Sequence, residues 1–197
     1  MKTTMKTGLA TLVLLLTFSC KKELLNGSTS AISQTQDEVS IKTEGHYIGE
    51  RFGGGVIFWI DSTGLHGLIA DTVDLGNFAW WNGIYTVTGA KATRIGSGKT
   101  NTRKIVVSQG KTGYYAALQC AKSKNSGYTD WLLPSKDELN EIYKQKAVIG
   151  GSFFLAGYWS SSESNNNQAS GQRFDDGYQY TDGDKHYGSN VRAIRIF

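Results

Sequence analysis

The sequence predicts an α+β domain in which two main helices pack on short, mostly antiparallel sheets. Two observations point there. Short β-branched and aromatic runs, punctuated by glycine, recur from residue 46 to the end. Two other stretches place apolar residues at helical spacing, and one of them opens on a capping signature. The 197 residues include five Trp, ten Tyr and eight Phe, enough bulky material for a core of one domain.

Residues 1–19 read as a lipoprotein signal peptide. Lys2 and Lys6 precede an uncharged apolar run, Gly8 to Phe18, that is too short to span a bilayer. Cys20 follows the small Ser19 and resembles the lipidated cysteine of bacterial lipoproteins, although Thr17 stands where that pattern prefers an aliphatic residue. Acyl chains on Cys20 would anchor the chain to the cell envelope, with the outer membrane expected. Residues 20–45 are polar and aperiodic, a flexible tether, and the folded domain runs from 46 to 197. Removing the leader lowers the basic count from 21 to 19 against 17 acids, so the net charge falls from +4 to +2. No dense Lys/Arg run occurs, which leaves no electrostatic case for nucleic acid. With Cys20 lipidated, Cys120 has no disulfide partner, and its apolar neighbours mark it as a small buried side chain.

Within the domain, GVIFWID (55–61) and HGLIAD (66–71) flank Ser62-Thr63-Gly64 as a hairpin. KIVVSQ (104–109) reads as a strand or the approach to a helix. TGYYAALQCAKS (112–123) sets Tyr114, Ala117, Leu118 and Ala121 on one helical face. DWLLP (130–134) is a short apolar run ended by the only proline. Ser135 and Glu138 then have capping-box spacing, followed by Leu139, Ile142 and Tyr143 as an apolar stripe. GYWSSSES, GQRFDD and GYQYTD (157–164, 171–176, 177–182) alternate as half-buried strands do. NVRAIRIF (190–197) reads as a central strand.

Several stretches suggest chemistry. IGSGKTNT (95–102) looks like the end of a nucleotide-binding P-loop, but Thr93 stands where the motif needs glycine. The following NTRKIVV is β-branched and reads as starting no helix, so no nucleotide is expected. The serines of YWSSSES lie outside any Gly-x-Ser-x-Gly elbow and read as turn serines. His46, His66 and His186 have no metal-ligand spacing. Asp175, Asp176, Asp182 and Asp184 form a weak calcium alternative to a solvated loop. Trp80 and Trp81 are adjacent: either both are core, or one is exposed for stacking. Arg94, Lys99, Arg103 and Lys104 offer charge for anionic groups. Tyr178 and Tyr180 share a strand face, as a flat platform or as a core stripe.

GGGVIFWID, AW, the TRIGSGKTNT loop, YAALQCA, GYTDWLLPSKDELNEIY, GYWSSSES and VRAIRIF occur in an order that resembles the Lcl C-terminal domain family of bacterial exported and surface proteins. The resemblance runs from about Gly53 to Phe197 and implies a C-type-lectin-like fold related to the formylglycine-generating enzymes. The catalytic cysteines of those enzymes have no counterpart here, which implies binding rather than catalysis, with no cofactor. The adhesin that names the family binds sulfated glycosaminoglycans and trimerises through collagen repeats. This chain lacks those repeats. The expectation is an envelope lipoprotein whose domain binds an extracellular ligand, an acidic or sulfated glycan. Trp81, Arg94, Lys99, Arg103, Lys104, Tyr178 and Tyr180 are the candidate contacts. The alternatives are a structural or assembly subunit binding an envelope or host protein and, behind it, an enzyme.

Overall fold

A computed structural model describes residues 45–197, except 152 and 155. The leader, Cys20 and all of the tether but Gly45 lie outside the described residues. Two sheets and a set of short helices make a mixed α+β fold. One sheet has the order β1-β2-β3-β9, formed by Arg51–Phe52, Gly55–Ile60, Gly67–Ala70 and Ile194–Ile196. The other has the order β4-β8-β5-β6-β7, formed by Gly76–Ala79, Gly188–Val191, Gly157–Glu163, Gln168–Arg173 and Gln179–Asp184. Every pairing is antiparallel except β5 with β8, which run parallel where Tyr158 meets Asn190.

The hairpin read at 55–71 is β2–β3. Its turn is closed by the Asp61 carboxylate, which accepts from the Thr63 amide at 3.0 Å and the Gly64 amide at 3.1 Å. Two of the expected helices are present. The helix at Ala116–Lys122 buries Ala116, Ala117, Leu118 and Cys120. It starts later than the spacing suggested, so Tyr114 precedes it and is 83% exposed, and Ala121 faces out. The helix at Lys136–Lys144 carries the full capping box between Ser135 and Glu138 and buries Leu139 and Ile142.

The longest helix among the described residues is the one the sequence hides. Gly98–Gln109 (α1) is helical where β-branched residues argued against it. Its buried positions are Gly98, Asn101, Thr102, Ile105 and Gln109, a helical period in which only Ile105 is a large apolar side chain. Packing against the rest of the domain overrides the weak preference of Val106 and Val107 for strands. In chain order, 116–122 is α2, 136–144 is α3, and Lys146–Ile149 is a one-turn α4.

Two more expectations are corrected. The serine strand β5 does not alternate: Ser160, Ser161 and Ser162 are all buried, with α1 and α3 packed on the strand and β6 and β8 paired along its edges. The run 190–197 is not one central strand. It breaks at Arg192-Ala193, ending β8 in the second sheet and starting β9 at the edge of the first. The outer edge of β9 is met by Leu132, which exchanges backbone hydrogen bonds with Ile194 at 2.8 and 3.0 Å.

Two hydrophobic clusters fill the interior. One gathers Trp80, Ile105, Tyr115, Leu118, Trp131 and Trp159; the other gathers Phe58, Leu68, Leu139, Ile142, Tyr158 and Phe174. Extended segments straddle both by alternation. Trp131 and Leu133 enter the first while Leu132 enters the second, and Trp159 and Tyr158 divide the same way. Gly98 lies where α1 comes closest to the 132–133 segment. A Cβ there would overlap the Glu138 carboxylate and sit 2.9 Å from the Leu133 carbonyl. Gly98→Ala is therefore expected to destabilise the fold by about 1–3 kcal/mol, read as a lower urea midpoint at unchanged slope.

Candidate functional site

The loop that imitates a P-loop already holds an anion, and it is part of the chain itself. Glu138 Oε1 accepts from the Gly96 amide at 2.8 Å and the Gly98 amide at 3.4 Å, while Oε2 accepts from the Ser135 amide at 2.6 Å. A helix does follow this loop, contrary to the sequence reading, but the amides that would cradle phosphate are spent on a buried carboxylate. Burial pushes the Glu138 carboxyl up, and the Ser135, Gly96 and Gly98 amides only partly offset that.

The buried serines of β5 do structural work. Ser160 Oγ donates to the Ser170 carbonyl, and Ser162 Oγ donates to the Ala92 carbonyl, both at 2.8 Å. They are core serines, not the turn serines that their composition suggested. The four aspartates do not converge. Asp175 and Asp176 lie in the turn after β6, where both pair with Arg173, while Asp184 ends β7 at the other end of that hairpin. Among the described residues, no three His, Cys, Asp or Glu side chains are grouped to hold a metal ion. The two tyrosines do not share a platform either. Tyr178 precedes β7, exposed and stacked under Arg173, whereas Tyr180 packs edge-on against Trp159 in the core.

Two surfaces remain. The first is a groove of about 410 Å³ along α1. Lys99 and Arg103 stand one helical turn apart on its rim, with Lys111 at the far end. Val106 and Val107 form its helix side, and Trp131 forms its floor. Lys99 and Arg103 were expected; Lys111 was missed, because it lies beyond the end of a helix that was not predicted. Lys104, about 100° round the axis from Arg103, turns away and donates to the Gly89 carbonyl at 2.9 Å. Arg94 is exposed on the loop before α1 and does not line the groove. Thus two of the four expected cations come together.

The second surface is aromatic. Trp80 is fully buried, while its neighbour Trp81 is half-buried and stacks on Tyr85, with ring centroids 4.0 Å apart. His186 meets Trp81 edge-on at 5.8 Å, and Tyr187, 69% exposed, meets His186 at 5.6 Å. The Tyr85 hydroxyl donates to Asp184 at 2.7 Å, and Asp184 also accepts from the His186 amide at 2.9 Å. The His186 amide and the Tyr85 hydroxyl hold the Asp184 carboxyl below its usual range. Tyr85 and His186 were missed because 99 residues separate Tyr85 from Asp184.

One buried ion pair pins these two loops. Lys185, between Asp184 and His186, sends its ammonium inward to Glu163 at 2.7 Å and to the carbonyls of Thr86, Asn165 and Asn166 at 2.8–3.0 Å. It also lies 4.6 Å from the Trp80 ring. Glu163 accepts in addition from the Thr88 and Gly89 amides. Burial alone would raise the Glu163 carboxyl, but Lys185 and the two amides bring it below its usual value. A lowered carboxyl stabilises the fold above its unfolded value of about 4.3 and loses that contribution as pH falls through the folded value. Glu138, shifted upward, acts in the opposite sense, so comparison with Glu163→Gln isolates Glu163. That variant leaves a buried ammonium without its counter-charge. It is expected to lose about 3–5 kcal/mol at pH 7 and to show a flatter acid limb in urea melts taken from pH 7 down to about pH 3.

The crystal structure of a fimbrial protein from Bacteroides ovatus has a similar fold, with a TM-score of 0.53 at 14% identity. The likeness covers 72% of this chain and 43% of that one, so the chain spans less than half of the fimbrial protein's length. No curated protein matches the chain. The Lcl C-terminal domain family matches residues 79–195, a stretch that takes in the aromatic surface, the groove and the Glu138 loop. The chain belongs to the Lcl C-terminal domain family.

Proposed function

We propose that this is an exported surface lipoprotein, anchored at Cys20 in the outer membrane, whose domain binds an extracellular glycan without catalysis. Family membership and the fimbrial neighbour's fold fit a surface protein. The C-type-lectin-like class is the fold that the family resemblance implies.

The observation that carries the glycan reading is the Trp81–Tyr85 stack. Sugar rings present C–H faces and hydroxyl edges, and this surface offers both complements. Aromatic faces lie beside the ionised Asp184, the His186 ring and the Tyr187 hydroxyl. The loops are held from below by Lys185, so little ordering entropy is lost on binding. Catalysis is not part of this reading, because Ser160, Ser161 and Ser162 are buried, and Ser160 and Ser162 donate to backbone carbonyls. A calcium-dependent mode has little support, given the separation of the aspartates.

A glycan array probed with the full chain tests this. Retention of discrete glycans is expected. Trp81→Ala should weaken it roughly tenfold or more, and Tyr85→Phe, which keeps the ring, should weaken it less. Silence on every glycan would overturn the reading. Mass spectrometry of the N-terminal peptide reads the anchor: acylated Cys20 is expected, and an unmodified Cys20 on membrane-bound protein removes that part of the proposal.

A further inference from the structure

The groove along α1 differs chemically from the aromatic surface. Its walls are largely apolar, and Val107 is 73% exposed on a helix whose other outward residues are mostly polar. Its rim is cationic. Among the described residues, Lys99, Arg103 and Lys111 make no hydrogen bond or ion pair. The one acid on the rim, Asp130, accepts from Arg195 Nε and Nη2, both at 2.9 Å. Arg195, with a smaller contribution from Lys99, holds the Asp130 carboxyl below its usual range. The groove therefore keeps uncompensated positive charge beside exposed aliphatic surface.

The spacing narrows the occupant. Four helical residues rise about 6 Å, so Lys99, Arg103 and Val107 form a row with steps of about 6 Å. In an extended peptide, side chains on one face recur every second residue, about 6.5–7 Å apart. Such a peptide meets the row in step, whereas a sulfated polysaccharide would leave Val106, Val107 and Trp131 facing hydroxyl groups.

We propose that this groove docks an extended segment of a protein partner whose same-face residues run acidic, acidic, aliphatic. The acids pair with Lys99 and Arg103, and the aliphatic side chain covers Val107 over the Trp131 floor. This surface does not depend on the glycan reading, and either can fail alone.

The test is selection from an unbiased linear peptide library on the immobilised full chain, followed by affinity measurement with the enriched peptides. Enrichment of two acids two residues apart, with an aliphatic residue two further on, is the expected result. Arg103→Glu and Val107→Asp, both at exposed positions, should each lower affinity roughly tenfold or more. Arg103→Lys should keep most of it, and Trp81→Ala should leave it unchanged. The proposal is overturned if selected peptides lack the acidic–aliphatic pattern, or if Val107→Asp binds them as tightly as the parent chain. Dextran sulfate is the second probe. If it binds the groove in a way that Arg103→Glu abolishes and Val107→Asp does not affect, the groove is a polyanion site and the peptide reading falls.

Discussion

A single buried carboxylate organises this domain. Glu138 closes the capping box of α3 and at the same time receives the amides of Gly96 and Gly98 at the start of α1. Two helix beginnings, far apart in sequence, are thereby fixed to one side chain. The neighbouring bonds extend the same joint. Ser135 Oγ donates to the Arg94 carbonyl, the Asp137 amide to the Thr93 carbonyl, and Asn101 Nδ2 to the Ala92 carbonyl. Ser162 ties this cluster to β5 by donating to Ala92 and accepting from the Lys136 amide. Taking a carboxylate out of water is costly, and its hydrogen bonds here offset that cost only if all of them form together. The direction of α1, and with it the groove, follows from this joint.

The second buried charge plays the same part for the loops around Trp81 and His186. Lys185 is fully buried and its partners come from two separate segments, the loop at Thr86 and the end of β5 with the turn that follows it. Alternation explains the chemistry outside: because Trp80 and Lys185 point in, their chain neighbours Trp81 and His186 point out and meet. The surface aromatics are thus a by-product of how the interior is pinned.

Much of this was legible in the sequence wherever the signal is local. The capping box at Ser135 and Glu138 and the hairpin around Ser62-Thr63-Gly64 depend on residues a few positions apart. The core role of Leu139 and Ile142 follows from period alone. What escaped reading depends on distant partners. The buried face of α1 is made of glycine, asparagine, threonine and glutamine around a single Ile105, which carry no apolar period until the segment they pack on is known. Serines normally mark turns, but Ser160 and Ser162 of β5 sit inside, where the carbonyls of Ser170 and Ala92 accept from them. Arg94, Lys99, Arg103 and Lys104 looked like one patch because they are close in sequence. Helical geometry separates Lys104 from Arg103 and brings in Lys111 instead.

The break at Arg192-Ala193 bears on the order in which the domain assembles. β8 is inserted between β4 and β5, and β9 completes the other sheet beside β3, yet both strands come after every other strand in the chain. Until residues 188–196 arrive, β4 has no strand partner and neither sheet is complete. Closure must then wait for contacts across more than a hundred residues, the kind of pairing that makes folding slow. A chain synthesised or threaded from its N-terminus stays open until its final strands are free, and both sheets then close on one short stretch of backbone.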